Sequence, residues 1–324
     1  MGKIKNILCK TPQLASDTVC FRGHTHSEKY SKDGIEYLRE ETAFVREPDT
    51  LEFIKNYVDE NFSKKPKISI VIGACSTGEE VHSLNMLLGD NAKKTDIIGF
   101  DLGKKAIEDA KSLKFTIKNP KNQKREKLFG YSAHKDCYLA FPTEKPLTEK
   151  QEAYKKAFNE MFEETNIEQP QKGLLAKFCS YILGNSKDSE EYEYKNFKLK
   201  DGQSNNCKFL QGDIQKLDKI VPEGQTDVLM FRNALYHLLA VDKMNGFLRL
   251  PKEEKESKPI MEKIAQQAYK ALDENGILVF GEQESEQMTD WSLVSKVLLK
   301  NGFEPIWGKD KDSLNVWKKT SKNT

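Results

Sequence analysis

The chain has 324 residues, of which 31% are charged, yet 52 Lys and Arg against 50 Asp and Glu leave a net charge of only +2. That near-balance excludes a global electrostatic pull toward nucleic acid, and the shortness of every apolar run excludes a bilayer-spanning helix. The six cysteines (Cys9, Cys20, Cys75, Cys137, Cys179, Cys207) include no Cys-x-x-Cys pair, so a reduced, cytoplasmic protein is expected.

The opening "MGKIKNILCK" lacks the apolar core of a signal peptide. Gly2 invites lipidation, but Asn6 stands where that signal wants Ser or Thr. The first forty or so residues show weak periodicity. "TLEFIKNYVDENF" then places Leu51, Ile54, Tyr57, Val58 and Phe62 on one helical face. Strand "ISIVIGA" is followed by helix "TGEEVHSLNMLLGD", and strand "TDIIGFD" by helix "KKAIEDAKSL". Strands "CKFLQGD" and "TDVLMFRN" come much later. Helix "PIMEKIAQQAYKALDENG" is expected to stop at Gly276. Strand "ILVFGEQ", helix "TDWSLVSKVLLKNG" and a closing antiparallel pair, "FEPIWGK" and "SLNVWKK" around "DKD", complete the chain.

Apolar strands separated by helices predict an α/β fold, a mostly parallel sheet covered on both faces. Residues 111–205 break this rhythm with Lys-, Glu-, Asn- and Gln-rich sequence and helical stretches such as "EKQEAYKKAFNEMFEE" and "GLLAKFCSYIL". They read as a mixed or helical subdomain inserted between core strands 2 and 3. The expected organisation is an N-terminal helical segment, 1–62, a core of 63–110 and 206–324, and the insertion 111–205.

The turn "GACSTGEE" after the first core strand has the form of a cofactor site. A phosphate loop would need Lys and Ser after Gly78, where Glu79 and Glu80 stand and would repel a triphosphate. A dinucleotide turn needs a middle glycine for the pyrophosphate, and that position is Cys75. S-adenosylmethionine, which has no phosphate, fits better. N–H groups at the helix start would meet its carboxylate, Glu79 its ammonium, and Asp101 its ribose hydroxyls, with Asp213 near the adenine. All three acids end strands, where open parallel sheets bind ligands. Each also has a structural alternative, as a first-turn residue, a cap or a turn former.

"ACSTGEEVHSLNMLL" resembles the signature A-x-S-T-G-E-E-x-Y-S-x-A-M-x-L of the CheR-type chemotaxis receptor methyltransferases. "ETAFVRE" resembles T-x-F-F-R-E, "IGFD" G-T-D, "FRNALYHL" C-R-N-V-x-I-Y-F, and "LVFGEQESE" L-x-L-G-x-S-E-S. The match runs over roughly 40–110 and 205–285. It implies the class I methyltransferase (Rossmann-like) fold, with its C-terminal antiparallel hairpin, and S-adenosylmethionine as donor, with S-adenosylhomocysteine as product. Carried over, Thr42 and Arg46 reach the donor from ahead of the core. Gly73, Ala74, Cys75, Ser76, Gly78 and Glu79 form its turn, and Asp101 with Leu102 the ribose end. Asp213 and Ile214 flank the adenine, while Arg232 and Asn233 sit beside the transferred methyl. The family tyrosine falls on His237, with Tyr236 one place early. The N-terminal receptor-docking domain is reduced and the insertion is longer than the family's small β-subdomain.

The family reaction esterifies a glutamate of a protein partner. Carboxylates near pKa 4.3 are already ionised at neutral pH, so no base is required. Arg232 would orient the carboxylate or form a structural ion pair. His237 would serve as base for a hydroxyl acceptor or sit idle on a helix face. Other readings remain open. The basic run Lys111–Lys127 suits a nucleic-acid phosphate backbone, although "FRNALYH" is not the [DN]-P-P-[YF] of base-amino methylation, and charge runs are usually solvated faces. A small-molecule methyltransferase or a donor-binding regulator without catalysis is the further alternative. His24, His26, His134 and Cys137 form no metal-ligand spacing, so no metal is expected.

Overall fold

The computed structural model describes residues 30–32, 35–37, 44–120, 149–165, 192–203, 205–232, 234–243, 248–281, 290–308 and 314–321. Among the described residues a short antiparallel pair, β1 (Tyr30–Lys32) and β2 (Ile35–Tyr37), comes first, within the segment expected to be helical. Helix α1 (Pro48–Asn61) follows. The core then alternates β3 (Ile68–Gly73), α2 (Glu79–Leu87), β4 (Thr95–Asp101) and α3 (Lys104–Ser112). After the insertion come β8 (Cys207–Gln211), β9 (Thr226–Phe231) and α5 (Leu235–Leu239). A pair β10 (Ala240–Lys243) and β11 (Leu248–Pro251), α6 (Glu254–Ala271), β12 (Leu272–Phe280), α7 (Trp291–Lys300), β13 (Phe303–Gly308) and β14 (Leu314–Lys319) complete it.

The seven-stranded sheet runs β13-β14-β12-β9-β3-β4-β8. Its strands are parallel from β12 to β8, and β14 is antiparallel to both β12 and β13. This is the expected α/β class I methyltransferase architecture with its terminal antiparallel hairpin. The strand order reverses between β3 and β9, and the crevice outside such a reversal is where open sheets hold ligands.

Period-two alternation explains why the sheet is covered twice. Ile70, Ile72, Val228, Met230, Ile277 and Val279 join one apolar cluster with Leu51, Ile54 and Val58 of α1 and Val81 and Leu84 of α2. Val71, Leu229, Phe231, Leu278 and Phe280 join another with Met261, Ile264 and Ala265 of α6 and Val294 and Leu298 of α7. All six residues of β9 are buried, which accounts for its apolar run Val228–Phe231. Burying one such side chain contributes about 1.5–3 kcal/mol.

Two boundaries differ from expectation, and tertiary packing causes both. The sixth helix begins ahead of Pro259 and ends at Ala271 rather than Gly276. Leu272 pairs with Thr226 of β9, and the ladder slips between Leu272 and Ile277. Gly276 belongs to that irregularity, because a Cβ there would lie 3.0 Å from the Thr226 carbonyl oxygen. In the insertion, helix α4 (Glu149–Met161) gives way to strand β6 (Phe162–Thr165), where helix was expected. Phe162 is drawn out of the helix because it pairs with Leu199 and packs among Phe44, Phe115 and Phe158.

With β5 (Lys114–Pro120) and β7 (Tyr192–Leu199), β6 forms an antiparallel sheet ordered β5-β7-β6. Tyr154, Phe158 and Met161 of α4 share the apolar cluster of α1 and α2. Lys150 reaches Asp49 and Glu52 of α1 at 3.0 and 2.8 Å. "GLLAKFCSYIL" and the "DKD" turn lie outside the described residues, as does most of the basic run beyond Pro120.

Candidate functional site

The turn Ala74–Gly78 joins β3 to α2. Ala74, Ser76 and Gly78 have φ of 56°, 46° and 94°, in the left-handed region. A left-handed alanine or serine costs about 1–2 kcal/mol, so the surroundings hold the turn in shape. The Cys75 N–H donates to the Phe100 carbonyl at 3.1 Å, and the Gly78 N–H to the Cys75 carbonyl at 2.9 Å. At Gly78 both the backbone angle and a Cβ contact of 2.9 Å with Phe209 require glycine. The N–H groups of Glu79, Glu80 and Val81 precede the bond from His82 N–H to the Gly78 carbonyl, 3.1 Å, so they lie at the polar amino end of α2.

The acids gather along the carboxyl edge of adjacent strands. Glu79 is buried, and Thr77 Oγ1 donates to its Oε2 at 2.6 Å. Burial pushes the Glu79 carboxyl up to about 7, against the pull of that bond. Asp101, ending β4, accepts from Ser76 N–H at 2.9 Å and Gly103 N–H at 2.8 Å. Burial raises its carboxyl too, with those backbone bonds opposing. The Asp101 carbonyl accepts from Gly212 N–H at 2.8 Å, which ties in the end of β8. Asp213 caps the short helical turn Ile214–Lys219, accepting from Gln215 N–H at 2.9 Å. Ile214 is buried in the α6-side core and Leu102 is half-buried, its carbonyl accepting from Gln211 Nε2 at 3.0 Å.

A second group meets around the end of β9. Arg232 is buried, and its Nη2 donates to the Arg46 carbonyl at 2.5 Å and to Glu47 Oε2 at 3.0 Å. Its Nη1 lies 3.4 Å from Glu80 Oε1. Burial pushes the Glu80 carboxyl up, while the charges of Arg232 and Arg46 pull it down. Val45 and Glu47, on either side of half-buried Arg46, have φ of 53° and 51°. Val45 N–H donates to Ser83 Oγ at 2.8 Å, and Ser83 Oγ donates to the Glu79 carbonyl at 2.7 Å. His237 sits half-buried on α5. Tyr236 lies on the same short helix, with its side chain outside the described residues, as are Thr42 and Asn233.

Sequence reasoning did not assign Glu47, Thr77 or Ser83 a part, although each lies within a quoted motif. It weighed Glu80 as a first-turn residue and as a charge that would repel a triphosphate, not as a partner of Arg232. The missing signal was the pairing partner, since Glu47 and Arg232 stand 185 positions apart. Among the described residues no group of three or more His, Cys, Asp or Glu is placed to hold a metal, and no helix is long and apolar enough to cross a membrane.

The turn fits an amino-acid-tailed donor. Ser76 Oγ is buried in it with no hydrogen-bond partner, whereas buried polar atoms are ordinarily paired. A ligand with both donors and acceptors at this end would supply that partner. Comparison with known proteins agrees. Residues 40–136 match the family model "CheR methyltransferase, SAM binding domain". No curated protein matches the sequence. Among solved structures, a DszA carbon methyltransferase is similar at 12% identity and a TM-score of 0.38, covering 84% of this chain and 54% of its own. The chain thus spans about half the length of that neighbour. A TehB-like SAM-dependent methyltransferase from Corynebacterium glutamicum is similar at 10% identity and a TM-score of 0.34, covering 82% and 83%. A SAM-dependent methyltransferase from Methanosarcina mazei is similar at 9% identity and a TM-score of 0.35, covering 83% and 97%. The family match takes in Phe44–Glu47, the whole turn after β3 and Asp101, and over that stretch the chain is similar to the SAM-binding domain of the CheR methyltransferases.

Proposed function

We propose that the chain methylates a carboxylate of a protein partner in the cytoplasm. The observation that supports this most is the joining of two strand ends: Asp101 of β4 holds the Ser76 N–H of the turn after β3, with Glu79 buried at the head of α2. In this reading Glu79 accepts from the donor's ammonium and Asp101 from its ribose hydroxyls. The amino end of α2 meets its carboxylate. Asp213 and Ile214 flank the adenine. When bound, S-adenosylmethionine supplies an electrophilic methyl group, leaving S-adenosylhomocysteine and a methyl ester.

The protein's own task is then placement. A carboxylate acceptor is ionised at neutral pH and needs no base. Alignment of reacting atoms is worth up to about 7–11 kcal/mol. His237, beyond the end of β9, is free of a required proton-transfer role with such an acceptor.

Calorimetry with S-adenosylmethionine, followed by transfer of a radiolabelled methyl group to proteins of a lysate, tests this. Binding and an alkali-labile protein label are expected, because methyl esters hydrolyse in base. An alkali-stable label would exclude the ester. Binding with no label on any acceptor would favour a donor-sensing regulator.

A further inference from the structure

The strap Phe44–Glu47 is held in an unfavourable backbone shape. Val45, a β-branched residue, and Glu47 both take left-handed angles, on either side of Arg46. β-Branched residues almost never do so, and such strain persists where the surroundings over-determine it, typically at functional sites. Three pins hold it. Phe44 packs edge-on against Phe115, Phe158 and Phe162 at 5.1–5.2 Å between ring centroids. Val45 N–H donates to Ser83 of α2 at 2.8 Å. Arg232 takes both the Arg46 carbonyl and the Glu47 carboxylate, and its other nitrogen faces Glu80.

The third pin is the informative one. The Arg232 side chain is 0% exposed and that of Glu47 is 5% exposed. A buried ion pair of this kind adds little net stability compared with apolar packing, so stability alone does not account for it. What it does fix is direction. It holds the Arg46 carbonyl and the next side chain, Glu47, and Arg46 lies within the field of Glu80 in the first turn of α2.

We propose that Arg232 is a positioning residue. Its buried guanidinium clamps the strained strap to the head of α2, with Glu47 and Glu80 as counterions, and so presents Arg46 to the charged tail of the donor. Arg232 acts through Arg46 and does not itself touch the acceptor. This rests on the donor reading given above.

The test combines hydrogen exchange with binding of S-adenosylmethionine to the full-length protein. Arg232→Lys keeps the positive charge but loses the fork whose two nitrogens face Glu47 and Glu80. Glu47→Gln keeps the shape but removes the charge, and serves if the lysine variant fails to fold. Both are expected to speed exchange at residues 44–47 while exchange in β3 and β9 stays as in the parent. Arg232→Lys is expected to weaken donor binding about tenfold. Arg46→Gln is expected to weaken it too, and in that background Arg232→Lys costs nothing further, because both act through one contact. Unchanged strap exchange in both variants overturns the clamp. So does an equal loss of affinity from Arg232→Lys with and without Arg46. If the parent protein does not bind the donor, the donor reading fails, and the exchange measurement still decides the clamp.

Discussion

His82 offers the sharpest test of how the donor turn is built into the core. It lies on α2, is 0% exposed, and neither ring nitrogen has a hydrogen-bond partner. Its ring packs against Phe115, Phe162 and Phe209 at 5.4, 5.9 and 5.7 Å. Burial pushes the imidazole down to about 4 from an ordinary 6.5. The folded chain therefore refuses a proton that the unfolded chain accepts. Above pH 6.5 neither form is protonated, and His82 adds no pH dependence. As pH falls from 6.5 to about 4, stability is lost at roughly 1.4 kcal/mol per pH unit, about 3 kcal/mol in all. Glu79 works in the opposite sense. Its folded carboxyl titrates near 7 rather than near 4.5, so it adds stability as pH falls through that interval. The parent's own curve is thus flattened, and only a difference between proteins isolates the histidine. Urea unfolding of the parent and of His82→Phe, without donor, is the assay. Phenylalanine suits the aromatic surroundings and removes two unpaired polar atoms. Its advantage over the parent is expected to be constant above pH 7 and to grow by about 3 kcal/mol between pH 6.5 and 4. A difference that stays flat across this range would refute the reasoning, since the ring would then be charging as freely as in water.

Three further outcomes are expected. Donor binding near pH 6 releases a proton, because an ammonium beside Glu79 favours the ionised carboxylate over the neutral form that burial favours. Calorimetry in buffers of different ionisation enthalpy reads this, and in Glu79→Gln the released proton disappears. Asp101→Asn replaces one oxygen that accepts from Ser76 or Gly103 by an amide donor. Each charged hydrogen bond is worth about 1.5–3 kcal/mol, so donor affinity measured by calorimetry falls tenfold or more. Gly78→Ala meets both a left-handed backbone and Phe209, and thermal unfolding registers a loss of about 1–3 kcal/mol.

The sheet was legible because its rule is local. Near-continuous apolar runs such as "ISIVI" and "VLMF" declare strands buried on both faces, and the helices between them force parallel pairing. Legibility failed where a distant partner outbid a local preference. Leu272 follows a long helical pattern without a break, yet its pairing with Thr226 draws it into β12. Phe162 closes a good helical sequence and becomes a strand residue, because Leu199 and the surrounding phenylalanines lie on the β6 side. Of the insertion's two apolar helical stretches, the face of α4 joins the apolar cluster of α1 and α2, a contact that nothing local in its sequence announces.

The site divides along the same line. The places of Glu79, Asp101 and Asp213 were readable because the alternation of strand and helix sets them: Glu79 opens the helix after β3, Asp101 ends β4 and Asp213 lies two residues beyond β8, and strand ends line the crevice. Glu47 and Arg232 were not readable as a pair, since nothing local in "VRE" or "FRN" announces that one guanidinium will serve both the Arg46 carbonyl and the Glu47 carboxylate. Local propensity argues against the arrangement, because valine avoids the angle that Val45 adopts. A conformation that the local sequence disfavours has to be imposed from outside, and here α2 imposes it through Ser83 and β9 through Arg232. The donor turn and the strap thus share one support. Ser83 holds Val45 with its oxygen and the Glu79 carbonyl with its proton, so a shift in the strap is transmitted to the residue at the head of α2.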